Sequence, residues 1–168
     1  TPGCLTMIAQ HALAAGRAEL CARLSLQAGR DALDVHAPES ALRLVALAST
    51  IVSSPQDRVA LLCLRDDALA MQRAPQRLEG LSELTALVEA IGDEHLRLDV
   101  MLRRAAALRV SGEFEAAADL ARHIREQALQ SNDLPAELAA CLELGQNLLR
   151  AELGESYASS PLEVDIDG

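Results

Sequence analysis

Lysine is missing from this chain of 168 residues, and all 15 of its basic residues are arginine. The absence excludes a phosphate-binding loop that ends in lysine, a Schiff-base lysine and a lysine general base within these residues. Gly-rich phosphate loops and the G-x-S-x-G turn of serine hydrolases are missing as well. The sequence therefore predicts a segment without catalytic residues and without a cofactor.

Aromatic residues are almost as scarce, since Phe114 and Tyr157 are the two in the chain and tryptophan is absent. Half of the residues are nevertheless hydrophobic, so the core has to consist of leucine, alanine, valine and isoleucine. Alanine and leucine have the lowest cost in a helix, whereas sheets draw on β-branched and aromatic residues. The composition predicts an all-α protein.

The four cysteines are widely spaced, and none forms a C-x-x-C pair. The sequence therefore has neither a zinc-ribbon motif nor a thioredoxin-type motif. Cys21, Cys63 and Cys141 fall on apolar helical stripes, where cysteine usually acts as a small buried side chain. The four histidines are never three or four residues apart, so no metal site is predicted. Reduced thiols fit a cytoplasmic location.

Positive charge is also in short supply, because 25 acidic residues against 15 basic ones give a net charge of −10. A chain with this balance repels phosphate backbones, so direct binding of nucleic acid is not expected. No uninterrupted apolar run reaches the roughly 18 residues of a membrane span. Residues 1–16 also lack the basic leader and long apolar run of a signal peptide.

Turn-forming residues divide the chain into helix-length segments at nearly regular places. One series begins near residues 17, 57, 94 and 134, and a second begins near residues 38, 75 and 113. Both repeat with a period of about 38 residues, as stacked helical hairpins do. Connections of about two to four residues force consecutive helices to lie antiparallel. We therefore predict about eight helices arranged as antiparallel hairpins.

The helix ends have local chemical causes. Pro38 and Pro75 fit first-turn positions, where the missing N–H costs nothing. Gly92 can take the left-handed conformation that ends a helix, and Asp93 and Asp133 can cap the helices that follow. These residues place helix boundaries at the same points as the repeat period.

Apolar side chains recur at helical spacing within the segments, which predicts one buried face per helix. In the last segment, 134–153, the predicted buried stripe consists of Leu138, Cys141, Leu142, Gly145, Leu148 and Leu149. We assign residues 1–153 to one helical repeat domain. Residues 154–168 are small, polar and acidic, and they predict a loop or disordered tail of a truncated chain. Because 134–153 has no following helix, we expect the natural protein to continue, or another molecule to cover that face.

Residues 110–117, VSGEFEAA, resemble the turn and second-helix start of a tetratricopeptide repeat. There a glycine, an acidic residue, an aromatic residue and a small residue let two helices pack closely. Ala117 matches the small residue and Ala41 its counterpart in an earlier repeat, whereas Leu78 departs from it in the middle repeat and implies wider helix spacing there. The resemblance implies a right-handed superhelix with a concave groove.

A second resemblance covers three stretches near the start of the chain. IAQHALAAG (8–16), AGRDAL (28–33) and PESAL (38–42) resemble the repeat region of large bacterial signalling regulators. Those proteins join a STAND-type ATPase module to helical repeats and to an output module, which is a LuxR-type DNA-binding domain or an adenylate or guanylate cyclase. The resemblance implies a sensor or scaffold segment of a transcription or signalling regulator.

Asp66 and Asp67 are adjacent carboxylates in the second segment of the first helix series. Neighbouring side chains on a helix point about 100° apart, so these two are not expected to act together as a catalytic dyad. We expect a solvated face, with the carboxylates paired to arginines on the next helix.

Arg103, Arg104 and Arg109 make a basic spot. Its functional interpretation is the binding of a carboxylate or phosphate. Its structural interpretation is pairing at a spacing of four residues, with Asp99 for Arg103 and Glu113 for Arg109. The spacing favours pairing.

The leading hypothesis is a scaffold that binds a protein, a peptide or a small effector in a concave groove lined by the first helix series. The candidate groove residues are Arg65, Arg97, Arg104, Glu137, Gln146 and Asn147. One alternative is self-association, with a homodimer formed through the terminal helices near residues 5–15 or 134–153. Another is a fragment of a multidomain nucleotide cyclase or ATPase whose catalytic parts lie outside this chain.

Overall fold

The computed structural model describes residues 2–74 and 76–158, with side chains for residues 4–74 and 76–150. This part of the chain forms eight α-helices and no strand. In chain order they are α1 (Pro2–Ala14), α2 (Ala18–Asp34), α3 (Pro38–Ser49), α4 (Pro55–Met71), α5 (Arg77–Ile91), α6 (Glu94–Val110), α7 (Phe114–Ser131) and α8 (Leu134–Ala158). The predicted all-α class and helix number are confirmed, and α2 to α8 each begin within two residues of the predicted starts.

Each helix packs against the helix before it and the helix after it in the sequence. The short connections make consecutive helices antiparallel, so that α2, α4, α6 and α8 run in one direction and form one series. Within this series α2 contacts α4, and α6 contacts α8. The fold is therefore an all-α helical repeat array, in which helices are neighbours in space because they are neighbours in the sequence.

Helix ends follow the predicted capping chemistry. The side chain of Asp93 accepts a hydrogen bond of 3.1 Å from the amide of Leu96, and Asp133 caps α8 in the same way. Gly92 ends α5 with a φ of 75°, the left-handed conformation that glycine adopts without a steric penalty. Pro75 lies outside the described residues.

The core is divided into three main apolar clusters in series. The first joins α1 to α4, the second joins α4 to α6, and the third joins α6 to α8. In the first, Gly29 lets α2 approach α4 closely, because a Cβ at that position would lie 2.4 Å from Cδ2 of Leu64. Among consecutive helices, α5 packs least extensively on its neighbours.

Helix α8 packs through the face opposite to the predicted one. The residues buried against α6 and α7 are Ala136, Ala140, Glu143 and Asn147. The predicted stripe is solvent-exposed instead, and its leucines, with Leu134, are between 57% and 68% exposed. The prediction that this stripe is buried is wrong, because periodicity shows which residues share a face but not whether another helix covers it. We call this surface the α8 leucine face, and define it by Leu134, Leu138, Cys141, Leu142, Gly145, Leu148 and Leu149.

The last helix also continues to Ala158, five residues beyond the predicted end of the repeat domain at residue 153. Gly154 costs about 1 kcal/mol relative to alanine within a helix but is compatible with helical backbone angles. Residues 159–168, which make up the rest of the predicted tail, lie outside the described residues. Among the described helices, none has the apolar length needed to cross a lipid bilayer.

Candidate functional site

A groove runs along α2 and reaches the first turn of α4. It encloses about 880 Å³ and is open to solvent. Leu20 and Leu26 give it an apolar part, and Ser54 and Asp57 close it at the start of α4. We call it the α2–α4 groove. Its charged lining consists of Arg17, Glu19, Arg23, Arg30 and Asp57.

Three exposed arginines dominate the charge of this groove. Arg23, Gln27 and Arg30 follow each other at four and three residues, so that they share one face of α2, and Arg17 lies at the residue before the helix. The opposite face of α2 carries small buried side chains such as Cys21, which keeps the arginines on the solvent side. In the described part of the chain no carboxylate pairs with any of the three.

A smaller cavity of about 380 Å³ continues the surface from α2 across α4 to α6. We call it the α4–α6 cavity. Arg30 lies between it and the α2–α4 groove, because its side chain lines both. Cys63, Asp67 and Arg103 line its polar part. Together the two depressions cross three helices of the first series.

A network of buried charges lies behind this cavity. Asp66 is 4% exposed. Its carboxylate accepts two hydrogen bonds from Arg77, from Nε to Oδ1 at 2.7 Å and from Nη2 to Oδ2 at 3.0 Å. Arg103 adds a third contact, with its Nη1 3.2 Å from Oδ2 of Asp66. Since α4, α5 and α6 each supply one of these groups, the network joins the two pairs of consecutive helices that pack least extensively, α4 with α5 and α5 with α6.

Arg103 also connects Asp67 and Asp99. Its Nη1 lies 2.5 Å from Oδ1 of Asp67, and its Nε donates to Oδ2 of Asp99 at 2.9 Å. Burial of the guanidinium opposes its charge, but the carboxylates of Asp67 and Asp99 outweigh this and raise the pKa of Arg103. Burial raises the pKa of the neighbouring Cys63 thiol to about 11, so this cysteine stays a thiol at neutral pH.

The expectation for Asp66 and Asp67 is confirmed in one respect and wrong in another. Asp66 pairs with Arg77 on the next helix, as predicted, whereas Asp67 pairs with Arg103 of α6, one helix further along the chain. They do not form a solvated face, because Asp66 is buried, and they converge on one nitrogen of Arg103 although they are neighbours on a helix. A long side chain on α6 can reach both carboxylates, which the angle between Cβ directions alone does not reveal.

The other arginines of the basic spot behave differently. The predicted pair of Arg103 with Asp99 is present, whereas Arg109 bonds to Glu143 of α8, from Nε to Oε1 at 2.6 Å, and not to Glu113. Helix α6 ends at Val110, so Glu113 lies beyond the turn and not on the next turn of the same helix. Arg109 therefore ties α6 to α8.

The predicted groove residues do not lie on one surface. Arg65 lines a pocket between α3 and α5, on the opposite side of α4 from Asp67. Arg97 donates from Nε to its own-helix neighbour Glu94 at 3.0 Å, and Arg104 is exposed about 100° around α6 from Arg103.

The candidates on α8 are also dispersed. Asn147 is 2% exposed, and its Nδ2 donates to the backbone oxygen of Glu143 at 2.8 Å, so its assignment to a groove is wrong. Glu137 is half-buried and Gln146 is exposed. Amphipathic spacing separates the two sides of a helix but does not say which side faces a groove.

The predicted groove residues do not include Arg17, Arg23 and Arg30, although α2 belongs to the same helix series as α4, α6 and α8. A signal was present in the sequence. Arg23 and Arg30 are seven residues apart, on the side of α2 opposite to the small residues, as solvent-facing groups on a packed helix are.

The side chains at these positions do not form a metal site. Among the described residues, no three His, Cys, Asp or Glu side chains are placed to hold a metal ion. Comparison of the chain with protein-family models, with curated proteins and with solved structures gives no match. The similarity to tetratricopeptide repeats and to signalling regulators therefore stays a prediction from the sequence.

Proposed function

We propose that this chain is a non-catalytic binding module, and that its α2–α4 groove holds an acidic segment of a partner protein. The observation that supports this most is the set of three exposed arginines, Arg17, Arg23 and Arg30, on one wall of an open groove. Guanidinium groups bind carboxylates in a bidentate geometry that combines charge with direction. An acidic segment would supply the partners that these arginines lack among the described residues.

What sets these arginines apart is that they share one groove. The chain has a net charge of −10, and Arg58, Arg77, Arg97, Arg103, Arg109 and Arg122 each pair with a carboxylate. Among the arginines without such a pair in the described residues, Arg17, Arg23 and Arg30 line the same depression. The same net charge repels any anion at long range, but it repels a short peptide with a few carboxylates less than a nucleic acid with many phosphates.

The spacing of the arginines indicates the form of the ligand. Arg23 and Arg30 are seven residues apart, which is about 10 Å along a helix axis. A polyproline II segment repeats every three residues and rises about 3.1 Å per residue, so that carboxylates three residues apart lie on one face about 9 Å from each other. Leu20 and Leu26 offer apolar contacts to the residues in between.

The test uses two labelled proline-rich peptides, one with glutamate and one with glutamine at every third residue, and fluorescence anisotropy as the readout. The glutamate peptide should bind, and its affinity should fall as salt is added, because exposed charges are screened. The double variant R23E/R30E should lose at least tenfold in affinity. The double variant R104E/R125E makes the same change in net charge on exposed arginines of α6 and α7 and should leave affinity unchanged.

Equal binding of the glutamate and glutamine peptides would contradict the proposal. So would equal losses in R23E/R30E and R104E/R125E, since net charge alone would then explain them. A phosphopeptide of the same spacing serves as a further arm. If it binds and the glutamate peptide does not, the groove reads phosphate and the proposal in its present form is wrong.

The cellular context of this module is a further part of the proposal. The free state of all four cysteines fits a reducing, cytoplasmic compartment. The stretches 8–16, 28–33 and 38–42 support a place in a signalling or transcription regulator, next to the STAND-type and output modules that such proteins contain. The gene sequence around these 168 residues tests this: a phosphate-binding loop on one side and a cyclase or DNA-binding module on the other would support it, and unrelated neighbours would contradict it.

A further inference from the structure

The α8 leucine face is the largest apolar surface left open on a single helix in the described part of the chain. Leu134, Leu138, Leu142, Leu148 and Leu149 are each between 57% and 68% exposed. The face runs for about 22 Å along the helix, from the first of these residues to the last. Contiguous exposed apolar surface of this kind marks an interaction site on a soluble protein.

We propose that the α8 leucine face binds the same face of a second copy of this chain, with the two α8 helices antiparallel about a two-fold axis near Cys141 and Leu142. A two-fold contact requires a surface that is complementary to itself. This one has leucines on both sides of its midpoint, so that Leu134 of one copy lies opposite Leu149 of the other.

The spacing along the face indicates a helix as the occupant. Positions 134, 138, 141, 145 and 148 are separated by four, three, four and three residues. This is the heptad spacing that keeps an apolar seam in contact with a partner helix. A second copy of α8, with the same spacing, supplies such a helix.

Gly145 supplies a matching recess. A Cβ built at this position meets no atom within 4 Å. In the antiparallel arrangement Leu138 of the second copy lies opposite Gly145, so that a large side chain enters the space that glycine leaves. Because the pairing has a two-fold axis, the same contact forms twice.

The pattern of charge on α8 supports a copy of the same chain over a charged partner. Between Leu134 and Leu149 the acidic residues are Glu137, which is half-buried, and Glu143, which is buried on the opposite side and bound to Arg109. The leucine face itself is uncharged, which removes the repulsion that two chains of net charge −10 would otherwise meet at the contact. The remaining long-range repulsion is screened by salt.

Sedimentation analysis over a range of concentrations tests the proposal. The wild-type chain should dimerise, and added salt should strengthen the dimer, which is the opposite of the salt effect expected for the groove. L142E should weaken the dimer at least tenfold. V35E, which places the same charge on a side chain of equal exposure at the end of α2, should not. A wild-type chain that stays monomeric at high micromolar concentration would overturn the proposal.

The exposed Cys141 gives a second readout that does not depend on a destabilising variant. Mild oxidation should trap a disulfide-linked dimer, because a two-fold axis near this residue brings the two Cys141 side chains together. C141S should abolish the cross-link and C4S, which removes the other exposed cysteine, should leave it. A cross-link through Cys4 alone would place the contact at α1 and overturn the assignment to α8.

G145L separates the proposed geometry from a general apolar association. Leucine favours the helix over glycine, so the monomer should become more stable, while the dimer should weaken because the recess for Leu138 is filled. A tighter dimer in G145L would contradict the antiparallel register. Failure of the peptide assay in the groove would leave these results unaffected, because α2 and α8 are separate surfaces.

Discussion

Removing the carboxylate of Asp66 should destabilise the array far more than removing its neighbour. Asp66→Ala leaves the guanidinium of Arg77 without its two hydrogen bonds, in a place where that side chain is 12% exposed. Breaking a buried ion pair by deleting one partner costs about 3–5 kcal/mol, because the remaining charge is uncompensated. Asp67→Ala removes a carboxylate that is 48% exposed and pairs at the surface, where a pair contributes about 1 kcal/mol or less.

The measurement is thermal unfolding followed by circular dichroism, with the two alanine variants and the wild type compared at one protein concentration. For a chain of this size, a loss of 3–5 kcal/mol corresponds to a fall in melting temperature of roughly 6–20 °C. The double variant Asp66→Ala/Arg77→Ala should be less destabilised than the sum of its single variants, because it removes the uncompensated charge. Equal stability of the Asp66 and Asp67 variants, within about 1 kcal/mol, would refute the assignment of a network of buried charges that joins α4, α5 and α6.

Three further predictions follow from local geometry. Gly29→Ala should lower the free energy of unfolding by about 1–3 kcal/mol, because the new methyl group overpacks against Leu64. Gly145→Ala, where the methyl group enters open space, should instead raise it by about 0.5–1 kcal/mol, and thermal unfolding measures both changes. His95 should titrate by NMR above its ordinary pKa, because its ring bonds to the carboxylate of Asp133 at 2.5 Å, and Asp133→Asn should return it. Cys63, with a pKa of about 11, should be about one part in a thousand thiolate at pH 8 and should alkylate very slowly.

The predictions for His95 and Cys63 have internal controls. The ion pair between His95 and Asp133 stabilises the fold while the imidazole is protonated and the carboxylate is ionised. This stabilisation is lost as pH rises through the raised pKa of His95, and it is also lost as pH falls through the lowered pKa of Asp133. An unchanged titration in the asparagine variant would contradict the contact. Alkylation should proceed rapidly at the exposed Cys4, and a rate at Cys63 equal to that at Cys4 would contradict the burial of Cys63.

The sequence predicted the helices well because their boundaries are set locally. Gly92, Asp93 and Asp133 act through their own backbone and the next turn, so that each can be read without knowing the rest of the fold. The wider helix spacing expected at Leu78 stays a prediction, because it concerns how closely two helices approach and not where a helix ends.

The surfaces were harder to predict, since they depend on which neighbour is present. Asp66 and Arg103 are 37 residues apart and meet because α4 and α6 belong to the same helix series. The α8 stripe has the same periodicity as the buried stripe of α7, and only the arrangement in space shows that one is covered and the other is exposed. Asn147 was placed in a groove for the same reason, although its side of α8 is the packed one.

The serial core has a consequence for how the two proposed surfaces influence each other. Because α4 and α6 are each shared by two apolar clusters, a ligand held at α2 tightens its own end of the array first, and any effect on α8 has to pass through the buried charge network in the middle. Hydrogen exchange should then show two protected blocks that open separately. In that case, the aspartate and arginine side chains of the buried charge network determine how strongly ligand binding at α2 changes the stability of α8.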